Sequence, residues 1–119
     1  MNILRKSLAM AGAILCTLPV QAQDDAMSFS TGNGYYAKCS SKPAPFINGV
    51  CYGYLDGAMD TTYFYSDKDL GYCIPTGSTN QQSFDIFIGY LRDNPSKRHL
   101  PTTYLVRLAM IEAFPCPTP

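Results

Sequence analysis

The sequence predicts an all-α protein, a small bundle of about four helices joined by disulfide bonds. Three observations carry this prediction. Apolar residues recur at steps of three and four positions along much of the chain, which is the period of a helix. The N-terminal segment has the features of an export signal, and four of the five cysteines follow it. An even set of cysteines in an exported protein is typical of a disulfide framework.

The first 22 residues predict a cleavable signal peptide. Basic residues precede an apolar run from Leu8 to Leu18, and the segment ends at the small residue Ala22. The run is about half as long as the roughly 20 apolar residues that a membrane helix needs. We therefore expect cleavage and no membrane association afterwards. Cleavage removes Cys16 and leaves a single domain, residues 23–119.

The composition of this domain excludes two classes of protein. Its seven basic and nine acidic residues make it mildly acidic, so it lacks the positive charge that nucleic-acid binding requires. Aromatic residues are 13% of the whole sequence and charged residues only 15%, a mixture too apolar for a disordered protein. We expect a folded domain that does not bind nucleic acid.

The first three helices are predicted from apolar spacing and from capping signals. Residues 23–30 are polar, and we expect them to be frayed. Residues 34–39 are long enough for one or two helical turns before prolines break the chain. Residues 46–62 carry apolar side chains at helical spacing. The third helix begins after Thr79, which forms a capping box with Gln82, and it ends near the next proline.

The fourth predicted helix, residues 102–114, is apolar on nearly every side. Only Arg107 and Glu112 interrupt its apolar surface. A helix of this kind is buried on more than one side. We therefore expect it to be the central helix of the bundle and also part of a subunit interface.

The positions of the four remaining cysteines suggest how they pair. Cys39 ends the first helix and Cys51 lies early in the second, whereas Cys73 precedes the third helix and Cys116 follows the fourth. Antiparallel neighbours bring such ends together, so we predict the pairs Cys39–Cys51 and Cys73–Cys116. They would stabilise the fold by roughly 3 and 4 kcal/mol through loop closure. The other two connectivities stay open.

The chain offers little for catalysis or for binding a cofactor. Its single imidazole, His99, lies beside Lys97 and Arg98 in a predicted loop, where a solvated role is expected. Asp56 and Asp60 stand one helical turn apart, a spacing more typical of a solvated helix face than of a glycosidase pair. The cysteine spacings of 12, 22 and 43 residues are too wide for zinc ligands. We expect no metal, no cofactor and no enzymatic activity.

Two surfaces are candidates for protein binding. Gly49, Gly53 and Gly57 lie with Asp56 and Asp60 on the face of the second helix that points away from the core. Glycine destabilises a helix by up to about 1 kcal/mol relative to alanine, so either another chain approaches this face closely or the cross-linked domain tolerates poor helix formers.

The second candidate surface is an apolar strip on the third helix. Ile86 and Tyr90 form an i, i+4 pair that we expect to point away from the core. A partner or the N-terminal segment would cover it. With Arg107 and Ile111 of the last helix, these residues are our candidates for a homodimer interface.

Several local patterns together resemble a known family. They are the segments Gly-Tyr-Tyr-Ala-Lys-Cys at 34–39, Cys-Tyr-Gly-Tyr-Leu-Asp-Gly at 51–57, Gly-Tyr-Cys-Ile-Pro at 71–75, Tyr-Leu-Arg-Asp-Asn-Pro at 90–95 and Ala-Phe-Pro-Cys at 113–116. With the signal peptide, their order is similar to the Rap/Tai immunity proteins of type VI secretion systems, and the resemblance covers about residues 32–116.

The resemblance implies an all-α periplasmic domain, often dimeric, that binds and blocks a peptidoglycan amidase. Such amidases have a Cys-His pair in a groove, and in family members a protruding connection between helices occludes it. By position, that connection is residues 94–100. The toxin-binding candidates are Asn94, Ser96, Lys97, Arg98 and His99 in this connection, and Gly53, Asp56 and Asp60 on the second helix. The Tyr-rich end of the second helix and the short basic loop depart from the family pattern, which leaves the toxin's identity open.

Three other functions remain. A periplasmic acid-stress chaperone would need many carboxylates whose protonation separates a dimer, and nine acidic residues are a small supply. A small secreted enzyme would have to use His99 as its base. A family member could also bind a partner that is not an amidase.

Overall fold

The computed structural model describes residues 29–65 and 70–118 of the chain. It contains the helices α1 (Gly32–Cys39), α2 (Pro45–Tyr65), α3 (Asn80–Asp93) and α4 (Thr102–Ala113). Within those residues the only β-type pairing is an isolated bridge between Thr31 and Pro101. The predicted all-α class with about four helices is confirmed. The predicted signal peptide lies outside the described residues.

The helix boundaries follow the capping signals in the sequence. Thr31 caps α1, where its hydroxyl accepts a hydrogen bond from the Gly34 amide at 3.4 Å. Thr79 and Gln82 form the predicted capping box of α3: the Gln82 amide donates to Thr79 Oγ1 at 3.2 Å, and the Thr79 amide donates to Gln82 Oε1 at 2.9 Å. Two of the four orphan amides at this helix start are thereby satisfied.

Helix α4 is the centre of the bundle and packs against the other three helices. Its buried residues are Thr102, Leu105, Val106, Ala109 and Met110. Around it lie the fully buried side chains of Tyr35, Leu55, Phe87 and Leu91. Each large apolar side chain in such a core stabilises the fold by about 1.5–3 kcal/mol. The expectation that α4 is buried on more than one side is confirmed. Among the helices described here, none has the length and hydropathy of a membrane span.

The disulfides are the two pairs that the helix order predicts. Cys39–Cys51 joins the end of α1 to α2 with its Cα atoms 5.9 Å apart. Cys73–Cys116 joins the connection between α2 and α3 to the segment after α4, with its Cα atoms 4.8 Å apart. The first pair is buried, whereas both cysteines of the second are exposed.

The segment before α1 differs from the expectation of a frayed N-terminus, which is wrong for its last residues. Phe29 is buried, with its ring centroid 5.3 Å from that of Tyr54 and 5.6 Å from that of Tyr35. The Ser30 carbonyl accepts a hydrogen bond from the Thr102 amide at 3.0 Å. Contacts with residues far along the chain therefore order residues 29 and 30. The polarity of the segment itself gives no sign of these contacts.

Candidate interaction surfaces

The connection between α3 and α4, residues 94–100, is a tight turn with internal hydrogen bonds. Its first part is a 3-10 turn, Pro95–Lys97. The Lys97 amide donates to the Asn94 carbonyl at 3.1 Å, and the Leu100 amide donates to the Lys97 carbonyl at 2.9 Å. The Asn94 side chain donates to the Tyr90 carbonyl at 2.9 Å, which satisfies an acceptor at the end of α3. These bonds fix the conformation of the loop.

The start of α1 binds the same loop through its main chain. The Asn33 amide donates to the Arg98 carbonyl at 2.7 Å, and the Gly32 amide donates to the Leu100 carbonyl at 3.1 Å. The first amides of a helix have no partner within it. The loop carbonyls supply that partner, so the position of α1 also determines the position of the loop.

The two cations of the loop are directed toward the body of the domain. Arg98 donates to the main-chain oxygens of Leu91 and Arg92, at 2.5 and 3.1 Å, and its Cζ lies 3.8 Å from the centroid of the Tyr36 ring. Lys97 Nζ lies 3.3 Å from the Tyr90 hydroxyl and over the face of that ring. Both charges therefore contact the domain itself.

Three exposed residues of the loop, Pro95, Ser96 and His99, are what we call the loop surface; Lys97 is exposed as well but contacts Tyr90. His99 Nδ1 lies 3.0 Å from the Ser96 carbonyl oxygen, so a partner would meet the other ring nitrogen, Nε2. A proline, a hydroxyl and an imidazole on a fixed turn can form hydrogen bonds and apolar contacts with a partner.

The glycine face of α2 is open, as predicted. A Cβ atom added at Gly49, Gly53 or Gly57 would meet nothing within 4 Å. Asp60 is exposed beside these glycines, and we call this set of four residues the glycine surface. Asp56, in contrast, accepts a hydrogen bond from Asn80 Nδ2 at 2.9 Å and is half-buried. Asp56 therefore contributes to the packing of α3 on α2.

The structure does not bring all the predicted toxin-binding residues together. Asp56 contacts Asn80 at the start of α3, whereas Asn94 caps the end of the same helix. A helix of 14 residues is about 20 Å long at 1.5 Å per residue. The loop surface and the glycine surface thus lie toward opposite ends of α3.

Tyr90 requires a correction, because it does not point away from the core. It is only 7% exposed and belongs to the core cluster. The apolar spacing in the sequence indicates only one core-facing side of α3. In the structure α3 packs against α4, and Lys97 covers the Tyr90 ring. Tyr90 therefore offers little area to a partner.

The other homodimer candidates are partly covered within the chain. Ile86 is half-buried and lines a groove of about 280 Å³ between α3 and α4, whose rim carries Asp93 and Glu112. A hydrogen bond from the neighbouring Arg92 lowers the pKa of Asp93 from its ordinary value.

The connection before α3 covers the remaining two candidates in part. Arg107 Nε donates to the Leu70 carbonyl at 3.4 Å. Gly71 approaches Ile111 so closely that a Cβ atom on it would lie 3.4 Å from Ile111 Cδ1. Burial raises the pKa of the adjacent Tyr72 phenol. Residues 70–72 therefore lie against Arg107 and Ile111 and leave only part of each side chain exposed.

Sequence reasoning missed one apolar groove. Its volume is about 280 Å³ and its lining residues are Met59, Asp60, Tyr63, Leu70, Tyr72 and Ile74. Between the second and third helices the sequence indicates only turn signals at residues 66–69 and a break at residues 73–77. The alternation of Leu70, Tyr72 and Ile74 was the available signal that one side of this segment packs on α2.

The described residues contain no group of three His, Cys, Asp or Glu side chains able to bind a metal ion. Their exposed features include the loop surface, the glycine surface and two shallow grooves. This arrangement is suited to recognising another macromolecule.

The chain matches the model of a known protein family. The family model of the Rap1a immunity proteins matches residues 31–116 of the sequence. This range includes all four helices, both disulfides and the loop between α3 and α4. Comparisons with curated proteins and with solved structures gave no significant match. Because the family match covers most of the chain, this protein belongs to the Rap1a immunity protein family.

Proposed function

We propose that this protein is a periplasmic immunity protein of a type VI secretion system. It binds a peptidoglycan amidase toxin and occludes the active-site groove of that toxin, with no reaction of its own. The observation that carries the proposal is the family match over residues 31–116. The resemblance of the sequence motifs to Rap/Tai immunity proteins supports the amidase as the class of target.

The geometry of the loop supports occlusion as the mechanism. Internal hydrogen bonds and two bonds from α1 fix residues 94–100 before any partner binds. A preformed loop loses less conformational entropy on binding than a flexible one, which favours tight association. Ser96 and His99 would enter the groove of the amidase and exclude its substrate.

The proposed location rests on the N-terminal sequence and on the disulfides. Residues 1–22 have the signal-peptide pattern, and disulfides persist in the bacterial periplasm. An amidase that cleaves peptidoglycan acts in the same compartment, so the inhibitor and its target would meet there.

A homodimer is part of the proposal. Tyr104 of α4 is half exposed, and Ile86 of α3 and Arg107 and Ile111 of α4 retain exposed area. Analytical ultracentrifugation of the processed protein is expected to give the mass of a dimer. A concentration-independent monomer would remove this part of the proposal.

The central experiment uses the cognate amidase that the proposal requires, to be sought among the genes that neighbour this one. The amidase is directed to the periplasm of a bacterial host, and the full chain is co-expressed with its signal peptide. We expect the immunity protein to prevent lysis and to co-purify with the amidase. Lysis despite equal expression, together with no complex in solution, would refute the proposed function.

A matched pair of variants tests the loop surface. Ser96→Arg adds a long side chain to the loop, and Thr76→Arg adds the same side chain to an exposed turn before α3. We expect Ser96→Arg to abolish protection and Thr76→Arg to retain it. Equal protection by both variants would exclude the loop as the occluding element.

A further inference from the structure

We infer that Arg98 is the positioning residue of the loop surface and does not itself contact the toxin. This inference rests on the proposed function, because it assigns a division of labour within the surface that binds the amidase. Ser96 and His99 contact the target, while the guanidinium of Arg98 fixes the backbone that presents them.

The contacts of Arg98 connect three parts of the fold. Its Nε and one terminal nitrogen donate to the carbonyls of Leu91 and Arg92, in the last turn of α3. Its guanidinium plane covers the ring of Tyr36 on α1, with Cζ 3.8 Å from the ring centroid. Its own carbonyl accepts from the Asn33 amide at 2.7 Å. A single residue thus joins the end of α3, the start of α1 and the loop.

The surroundings of the Arg98 guanidinium explain why a positive charge is favourable at the end of α3. The last carbonyls of a helix lack partners within the helix, and the negative end of the helix dipole lies beside them. A cation that donates two hydrogen bonds to these carbonyls is stabilised by both effects. The Nε side of the fork is thereby occupied, so a carboxylate of a partner would meet only the remaining hydrogens on the terminal nitrogens.

The adjacent cation, Lys97, is also directed toward the domain, but its contacts are weaker. Lys97 contacts the hydroxyl and the ring face of Tyr90, yet its side chain remains exposed. Lys97 is therefore a suitable control, because removal of its charge leaves the bonds between Arg98 and α3 in place.

The test begins with the free protein. Hydrogen exchange by nuclear magnetic resonance follows the amides of Gly32 and Asn33, which donate to the loop. Because hydrogen bonds from a charged donor are strong, we expect Arg98→Ala to accelerate exchange of these amides by about tenfold or more. Arg98→Lys is expected to accelerate it as well, since lysine lacks the planar fork and the stacking surface. Lys97→Ala and Tyr36→Phe should leave it unchanged.

The second measurement is binding of the same variants to the cognate amidase that the proposed function requires. The affinity of Arg98→Ala should fall because the fraction of protein in the binding-competent conformation falls. The reduction should match the increase in loop opening seen by exchange, and it should appear mainly in the association rate. Arg98→Lys should behave like Arg98→Ala.

The outcomes separate the inference from the proposed function. Lost affinity with unchanged exchange in Arg98→Ala, or full affinity in Arg98→Lys, would overturn the positioning role. Failure of the unaltered protein to bind the amidase would refute the proposed function, while the exchange data would still report whether Arg98 fixes the loop. If Arg98→Ala does not fold, Arg98→Lys and Tyr36→Leu provide the same comparison.

Discussion

The phenol of Tyr35 donates a hydrogen bond of 2.8 Å to the main-chain oxygen of Cys51. Cys51 also forms the disulfide with Cys39, which lies one helical turn after Tyr35 on α1. A covalent bond and a hydrogen bond therefore attach α1 to the same residue of α2. Because the first amides of α1 bind the loop, this attachment connects the core to the loop surface.

The first prediction concerns removal of the Tyr35 hydroxyl. Tyr35→Phe retains the ring but loses the hydrogen bond, and it should lower the free energy of unfolding by about 1 kcal/mol. Tyr35→Ala also creates a cavity and should cost about 3–5 kcal/mol. Urea denaturation of the oxidised protein measures both values. A Tyr35→Phe variant as stable as the original chain would show that the hydrogen bond contributes nothing net.

The second prediction is a loss of stability at alkaline pH. Burial raises the pKa of Tyr35 well above its ordinary value, and burial also raises the pKa values of Tyr54 and Tyr72. Above about pH 10 the unfolded chain loses phenolic protons that the folded chain retains. The unfolded state then binds fewer protons, so the free energy of unfolding falls as the pH rises.

Urea denaturation at a series of pH values above neutrality measures this loss. Stability should be independent of these tyrosines below about pH 9 and should decline from about pH 10. Tyr35→Phe should have a shallower decline. A Tyr35→Phe variant with the same alkaline slope would show that Tyr35 does not contribute to it.

Local signals made most of the fold predictable. The capping box of Thr79 and Gln82 depends on residues three positions apart. The order of the helices favoured the observed disulfide pairs but left the other two connectivities open. Phe29 and Tyr90 were misjudged because their burial depends on distant partners. Phe29 packs against Tyr35 and Tyr54, and the loop after α3 folds back over Tyr90.

The candidate site was predictable only in part, for a related physical reason. Helical spacing places Gly53 on an outer face because that face depends on α2 alone. The charge of residues 97–98 was visible in the sequence, but the direction of the Arg98 side chain depends on carbonyls at the end of α3 and on Tyr36. The sequence therefore indicates the loop as a candidate, whereas the proposed division of roles depends on side-chain directions that only the structure gives.

The third prediction is that the two disulfides differ in their reduction. Cys73 and Cys116 are exposed, whereas Cys39 is 3% exposed and Cys51 is fully buried. Thiol–disulfide exchange requires access to a sulfur atom, so mild reductant should open Cys73–Cys116 first. Alkylation followed by peptide mapping identifies the opened pair. Simultaneous opening of both pairs would contradict the prediction and would indicate that global unfolding precedes reduction.

The Cys73–Cys116 disulfide is also expected to stabilise the fold. Cys73 and Cys116 are separated by 43 positions, so removal of the cross-link should cost about 4 kcal/mol by loop entropy. The double variant Cys73→Ala/Cys116→Ala, compared with the original chain in urea, measures this contribution. The corresponding cost for Cys39–Cys51, whose cysteines are 12 positions apart, is about 3 kcal/mol.

The fourth prediction concerns the glycine surface. Gly53→Ala adds a methyl group where nothing lies within 4 Å, so it should stabilise the free protein by up to about 1 kcal/mol. Gly77→Ala is the control. Gly77 has φ +92, a conformation that costs alanine about 1–2 kcal/mol. If a toxin or a second copy approaches α2 closely, Gly53→Ala will raise the unfolding temperature and also weaken that association. Unchanged association would assign the glycines no role in contact.

The fifth prediction is that alanine has the opposite effect at Gly32. This residue is buried at the first turn of α1, where a Cβ atom would clash with Leu105 Cδ1 and lie 3.1 Å from the Arg98 carbonyl oxygen. Overpacking a core typically costs about 1–3 kcal/mol, which exceeds the gain in helix propensity. Gly32→Ala should therefore lower the urea midpoint and accelerate exchange of the Asn33 amide. A stabilised Gly32→Ala variant would show that Leu105 and the loop yield without cost, and it would contradict this prediction.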